Sequence, residues 1–151
     1  MHKILCFIGI LVLISTLQLY PARASNYKLL ALKGEAQWEC SSLSRIFDNG
    51  NQDSFFFSGL SKLQKAYQAA VTDKITEQDR DHFSWILKNH DYGVSIDFIL
   101  GGAFVRVRKS IEEDLPRRDA TTQSIEDWRI LRRLAAQEEY EKRNCDLLKP
   151  N

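Results

Sequence analysis

The sequence predicts an all-α protein, a single small domain of about five helices tied by one disulfide. Three observations carry this. Apolar residues recur at helical spacing in successive segments, each opened by a capping residue or closed by a breaker. The one segment that also alternates with period two has no third strand to join, and a lone two-stranded ribbon is marginal. Finally, Cys40 and Cys145 stand near the two ends of the globular part.

The first residues read as an export signal. Met1-His2-Lys3 is a short basic start, Ile4 to Leu19 is mostly apolar, and Pro21-Ala22-Arg23-Ala24 ends in an Ala-x-Ala cleavage pattern. Residues 1–24 are therefore expected to leave, and 25–151 to form one helical periplasmic domain. A membrane anchor is the alternative, but the run is short and interrupted by Ser15, Thr16 and Gln18. No membrane contact is expected after cleavage. Lys3-Ile4-Leu5 lacks the small residue that precedes a lipidated cysteine, which argues against anchoring through Cys6.

Cleavage removes Cys6 and leaves Cys40 and Cys145 in a disulfide-permitting compartment, where they are expected to pair. Two buried thiols or an intermolecular bridge are the other outcomes. Losing Lys3 and Arg23 turns 21 basic residues into 19 against 20 acidic ones, a net charge near −1. A nucleic-acid partner would require a clearly basic domain, so none is expected. The remaining 127 of 151 residues suit one compact core.

The elements follow in order. Ser25 to Lys33, ending at Gly34, reads as an extended arm. Trp38, Leu43, Ile46 and Phe47 give Ala36 to Phe47 a helical stripe, and Asp48-Asn49-Gly50-Asn51 is a turn. Asp53 or Ser54 caps a second helix to about Val71, with Phe56, Leu60, Leu63 and Tyr67 inward. Phe55-Phe56-Phe57 faces more than one way, which fits either burial between neighbours or an exposed aromatic docking patch. Thr76-Glu77-Gln78-Asp79 opens a third helix with Phe83, Ile86 and Leu87 on its apolar side and Trp85 off it.

Tyr92 to Ile111 is the most apolar stretch after the leader, and the remaining helices are expected to pack around it. As a helix it aligns Ile96, Leu100, Phe104, Val107 and Ile111 on one side, and Val94, Phe98, Gly101 and Val105 on an adjoining side. The same letters read as a hairpin over 94–108, turning at Gly101-Gly102 with Asp97 opposite Arg106, which would make the fold α+β. A charged connector follows, broken by Pro116, and is expected to be a mobile loop. Ser124 starts the last helix, with Ile125, Trp128, Leu131 and Ala135 inward; Arg129, Arg132, Arg133, Glu138, Glu139, Glu141 and Lys142 read as a solvated face.

Catalytic constellations are not evident, and no cofactor is expected. His82 and His90 are eight residues apart, two turns distant on one helix, and neither HExxH nor CxxC occurs, so no metal site is expected. No Gly-x-Ser-x-Gly elbow exists. Carboxylates for sugar hydrolysis can be picked from Glu35, Glu39 and Asp97, but without distinctive spacing. Asp97 is the candidate functional acid because it interrupts an apolar run, where an ionised group needs a partner. Pairing with Arg106 or Arg108, or exposure at a rim, is the simpler account.

An early Cys40, the middle Ser95-Ile96-Asp97-Phe98-Ile99-Leu100-Gly101 and the terminal Tyr140-to-Cys145 pattern, behind a signal peptide, resemble small exported helical proteins of Gram-negative bacteria. Among these, the chain resembles the Rap/Tai immunity proteins, which neutralise peptidoglycan amidases delivered by type VI secretion. The resemblance implies a disulfide-tied, all-helical periplasmic domain that inhibits a secreted amidase-type toxin by binding it. It carries over no contact residue individually. The charged connector supplies the candidate partner contacts Asp114, Arg117 and Arg118. A periplasmic cell-wall hydrolase is the enzymatic alternative; a structural or stress-linked helical subunit, self-associating as a homodimer, is the third.

Overall fold

The computed structural model describes residues 21–150, with side chains from Asn26 onward, so most of the expected leader lies outside the described residues. The chain runs through α1 (Pro21–Phe47), α2 (Gln52–Val71), α3 (Glu77–Asp91), α4 (Ile96–Asp114), α5 (Ile125–Lys142) and a 3-10 turn (Cys145–Leu148). Among the described residues there is no strand.

α1 is the element around which the others pack, and it touches every other helix and the 3-10 turn. That corrects two expectations. The segment 25–33 is not an extended arm: Leu30, Ala31 and Leu32 propagate the helix, and Ala31 is fully buried. Gly34 does not stop it either. It sits mid-helix opposite Gly59 of α2, where an added Cβ would lie 2.6 Å from Leu63 Cγ and 3.0 Å from the Gly59 carbonyl oxygen. The absent side chain lets the two helices close on each other, and that tertiary contact outweighs glycine's poor helix propensity.

Two apolar clusters lie along α1. Its first half joins Ala31 and Trp38 to Leu63, Ala66 and Tyr67 of α2, Phe83 and Ile86 of α3, and Ile99, Leu100 and Ala103 of α4. Its second half joins Cys40 and Leu43 to Phe55, Ile111, Leu115, Ala136, Tyr140 and Cys145. Buried polar groups on α1 are largely satisfied. Trp38 Nε1 donates to the Phe56 carbonyl (3.1 Å), Ser41 to the Gln52 carbonyl (2.8 Å), and Gln37 to the Leu148 carbonyl (2.8 Å).

Local chemistry sets the helix ends. Asp48, Asp73, Gly93 and Asn144 have φ of 58°, 57°, 81° and 53°, the left-handed conformation that terminates helices. After α3, Gly93 N–H donates to the His90 carbonyl and Val94 N–H to the Asn89 carbonyl, a Schellman pair. Ser95 then opens α4 by accepting from Phe98 N–H (3.3 Å), and Ser124 opens α5 by accepting from Asp127 N–H (3.0 Å). The cap at Ser95 and burial of Ile99, Leu100, Ala103 and Ile111 at helical spacing decide against the hairpin over 94–108. On α2, Asn51 takes the N-cap position, and the expected caps Asp53 and Ser54 lie inside the helix.

Two faces are rotated from expectation. On α4, Ile96, Leu100, Phe104, Val107 and Ile111 do face the core, but Ile99 and Ala103 flank them, while Phe98, Gly101 and Val105 point outward. The stretch is therefore a surface helix with one buried side. On α5, Ala136 and Tyr140 are buried, whereas Ile125 and Leu131 are about half exposed and Trp128 and Ala135 only partly covered.

The chain ends are fastened as expected: Cys40 and Cys145 form a buried disulfide with Cα atoms 5.6 Å apart. Beside it, Arg143 donates to Glu39 of α1 (2.7 Å) and to Asp114 at the end of α4 (3.2 Å), and pairs with Glu139 at 3.5 Å. One guanidinium thus joins three helices around the sulfur bridge.

Candidate functional site

Asp97 stands in the exposed first turn of α4, at the rim of a shallow cleft of about 270 Å³. Trp38, Phe56 and Phe104 line it, with Leu60 and Leu100, and Gly101 forms one wall. The expected pairings of Asp97 do not form: Arg106 stacks its guanidinium 3.7 Å from the centre of the Trp85 ring, and Arg108 pairs with Glu112 at 3.4 Å. Exposure at a rim is the alternative that holds. Glu35, on α1, is not among the residues that line this cleft. Burial raises the Glu35 pKa, neighbouring Glu39 raises it further, and Arg106 opposes both. Glu39 itself is held by Arg143. The three acids that the sequence offered do not converge on one cleft.

The cleft opens onto the outward face of α4, where Phe98 (75% exposed), Gly101, Gly102 and Val105 (60% exposed) recur at i, i+3, i+4 and i+7. A Cβ built on either glycine would meet nothing within 4 Å. Neither has positive φ, so the fold of this chain does not require them there. Across the cleft, the aromatic run on α2 divides: Phe55 is buried, Phe56 packs partly against Trp38 and Phe104, and Phe57 is 64% exposed. Burial and docking were alternatives for the run as a whole, and the three rings do different things.

The connector from Leu115 to Ser124 is tied down in several places. Leu115 is buried, Arg118 donates twice to the Gln123 carbonyl (3.2 and 3.1 Å), and Asp119 accepts from Thr121 and Thr122. Those hydrogen bonds pull the Asp119 carboxyl down to about 2. Trp128 Nε1 donates to the Pro116 carbonyl (3.1 Å). Of the three candidate contacts here, Asp114 is engaged with Arg143, Arg118 shapes the loop, and Arg117 is exposed.

A second concavity, of about 960 Å³, separates the last turn of α1 from the first half of α5. Sequence reading missed it. Tyr140 and Ala136 define the inner side of α5, and continuing back along that side by sevens and fours leads to Arg133, Arg132 and Arg129. These arginines, expected on the solvated face, do reach solvent, Arg129 and Arg133 being exposed, and together with Arg45 of α1 they line the groove above Ile46, Ile125, Trp128 and Ile130. The signal lies in the sequence as steps of four, seven, eight and eleven residues back from Tyr140, whereas the larger apolar residues of the last helix suggest a different phase.

A third groove, of about 840 Å³, lies where Tyr27 and Leu30 approach Gln68, Thr72, His90 and Asp97, with mixed polarity and no convergent set of catalytic groups. His82, on α3, packs edge-on against Phe83, and burial lowers its pKa. Among the described residues no three His, Cys, Asp or Glu side chains are grouped to hold a metal ion, and no helix is long and apolar enough to cross a membrane. Compared with known proteins, the chain matches no family model, no curated protein and no solved structure.

Proposed function

We propose that this chain is a noncatalytic protein-binding module of the bacterial periplasm, an immunity-type inhibitor that holds a secreted cell-wall-degrading toxin. The observation that carries this reading is the outward face of α4, where Phe98, Gly101, Gly102 and Val105 stand in place of the charged residues a solvated helix face would bear. The two glycines let another protein's backbone approach closely, and Phe98, Val105 and Phe57 give it apolar surface to cover. The Cys40–Cys145 bridge suits an oxidising compartment. The resemblance to Rap/Tai proteins points to the same compartment and to inhibition by binding.

The test is capture and protection. The exported form, immobilised, should retain a cell-wall-degrading toxin encoded beside it and protect cells that express that toxin in the periplasm. Val105→Glu should lose both effects and keep the melting temperature, since Val105 is exposed. No capture and no protection would remove the inhibitor reading. Clearing of purified peptidoglycan by the chain alone would replace it with the hydrolase alternative, and a dimer broken by Val105→Glu would assign the α4 face to self-association.

A further inference from the structure

We propose that the groove between the end of α1 and the first half of α5 binds an acidic, amphipathic segment of a partner protein. This groove shares no lining residue with the α4 face or its cleft, and the proposal stands whether or not a toxin docks there.

The groove is built from residues that oppose one another in the free protein. Arg45, Arg129, Arg132 and Arg133 line it against a single carboxylate, Glu126. The full chain carries 21 basic and 20 acidic residues, so this concentration is local. Internal contacts neutralise little of it. Arg45 reaches Glu112 only at 3.6 Å with both side chains substantially exposed, Arg133 donates to the Phe47 carbonyl at 3.4 Å, and Arg132 lies 5.4 Å over the Trp128 ring. Arg129 has no ion pair among the described residues. Four like charges facing one concavity repel, and an anionic occupant relieves that repulsion while gaining planar, two-pronged hydrogen bonds.

The floor selects the kind of anion. Ile46, Ile125, Trp128 and Ile130 leave apolar surface between the guanidiniums, with Ile125 and Ile130 about half exposed. Phosphates alone would leave that floor wet, whereas a helix with carboxylates flanking an apolar stripe satisfies both parts. Arginines around an aromatic and aliphatic centre are also the composition that dominates protein interfaces energetically. Trp128 lines the groove, so its indole is placed to report occupancy.

A suitable probe is a synthetic 16-residue peptide, helical, with Leu and Ile at i, i+3, i+4 and i+7 and Glu on both flanks of that stripe. Binding to the full chain is measured by calorimetry and by tryptophan emission at low and moderate salt. The expected result is saturable one-to-one binding that weakens as salt rises. Arg129→Glu with Arg132→Glu should lower affinity tenfold or more, and Ile130→Ser should lower it without changing the salt dependence. Arg129→Gln with Arg132→Gln checks the fold, because it removes charge without introducing repulsion; it should melt like wild type and bind at intermediate strength. The proposal is overturned if the peptide fails to bind, or if charge reversal leaves affinity unchanged. It is equally overturned if polyglutamate, a DNA duplex or phosphatidylglycerol vesicles bind as tightly as the peptide, since the apolar floor would then select nothing.

Discussion

Alanine replacements at Gly59 and Gly101 should shift stability in opposite directions, although both glycines sit inside helices. At Gly59 a new Cβ would lie 2.7 Å from the Gly34 carbonyl oxygen and 2.7 Å from Trp38 Cδ1. Ordinary contact begins near 3.4 Å, so α1 and α2 must part by about 0.7 Å at their tightest point. The Gly34 oxygen is backbone and Trp38 is anchored through its indole to Phe56, so neither yields easily. Overpacking of this kind costs about 1–3 kcal/mol, and straining the indole hydrogen bond adds about 1 kcal/mol, against which alanine's helix propensity returns about 1 kcal/mol. Gly59→Ala is thus expected to destabilise by about 1–3 kcal/mol. At Gly101 the new methyl meets nothing within 4 Å, so only the propensity gain remains and stability should rise by about 0.5–1 kcal/mol. Urea unfolding at 25 °C, followed by helical circular dichroism, measures both directly. Gly59→Ala as stable as wild type would refute the close approach of α1 and α2. Gly101→Ala less stable than wild type would refute the claim that this face is open. If the α4 face docks a partner, Gly101→Ala should also weaken that complex, so stability and binding would move apart.

Two further outcomes follow from the ends of the chain and from α1. Reducing Cys40–Cys145, which closes a separation of 105 residues, should lower unfolding free energy by up to about 4–5 kcal/mol in the chain-entropy account; urea midpoints with and without reductant check it, and equal midpoints would show that the bridge constrains nothing. Glu35 has a folded pKa raised above its ordinary 4.5, chiefly by burial. Its contribution to stability is fully present below the unfolded carboxylate value and is lost as pH rises through the folded one. Glu35→Gln should therefore melt higher than wild type at pH 7, with the difference vanishing below about pH 4.5; a Glu35→Gln protein that melts lower at pH 7 would show that the ionised carboxylate is held by a favourable contact.

Much of the candidate site was hidden from sequence reading for one reason. Arg129, Arg132 and Arg133 of the α1–α5 groove are ordinary surface residues by type, and only the phase of α5 turns them toward α1. A step from Ala135 to Ala136 rotates the inner face by about 100°, enough to bring Arg129, Arg132 and Arg133 to the groove beside Ile125 and Trp128. What fixed that phase is Tyr140 packing edge-on against Phe47 and Phe55, together with the anchoring of Cys145 to α1. Gly34 shows the same dependence. By propensity it ends a helix, and only the arrival of Gly59 from α2 makes its bare backbone an advantage.

Local patterning alone determined what depends on neighbours in sequence: five helices, their boundaries to within a few residues over most of the chain, the start of the last helix at Ser124, and the inward stripe of α4 at Leu100 and Ile111. The cysteine count and the expected compartment together determined the bridge. Tertiary structure alone decided which helix is central, which way α5 faces, and that Phe98, Gly101, Gly102 and Val105 look outward. Periodicity states that a helix has sides; which side is buried depends on the shapes that reach it from distant parts of the chain.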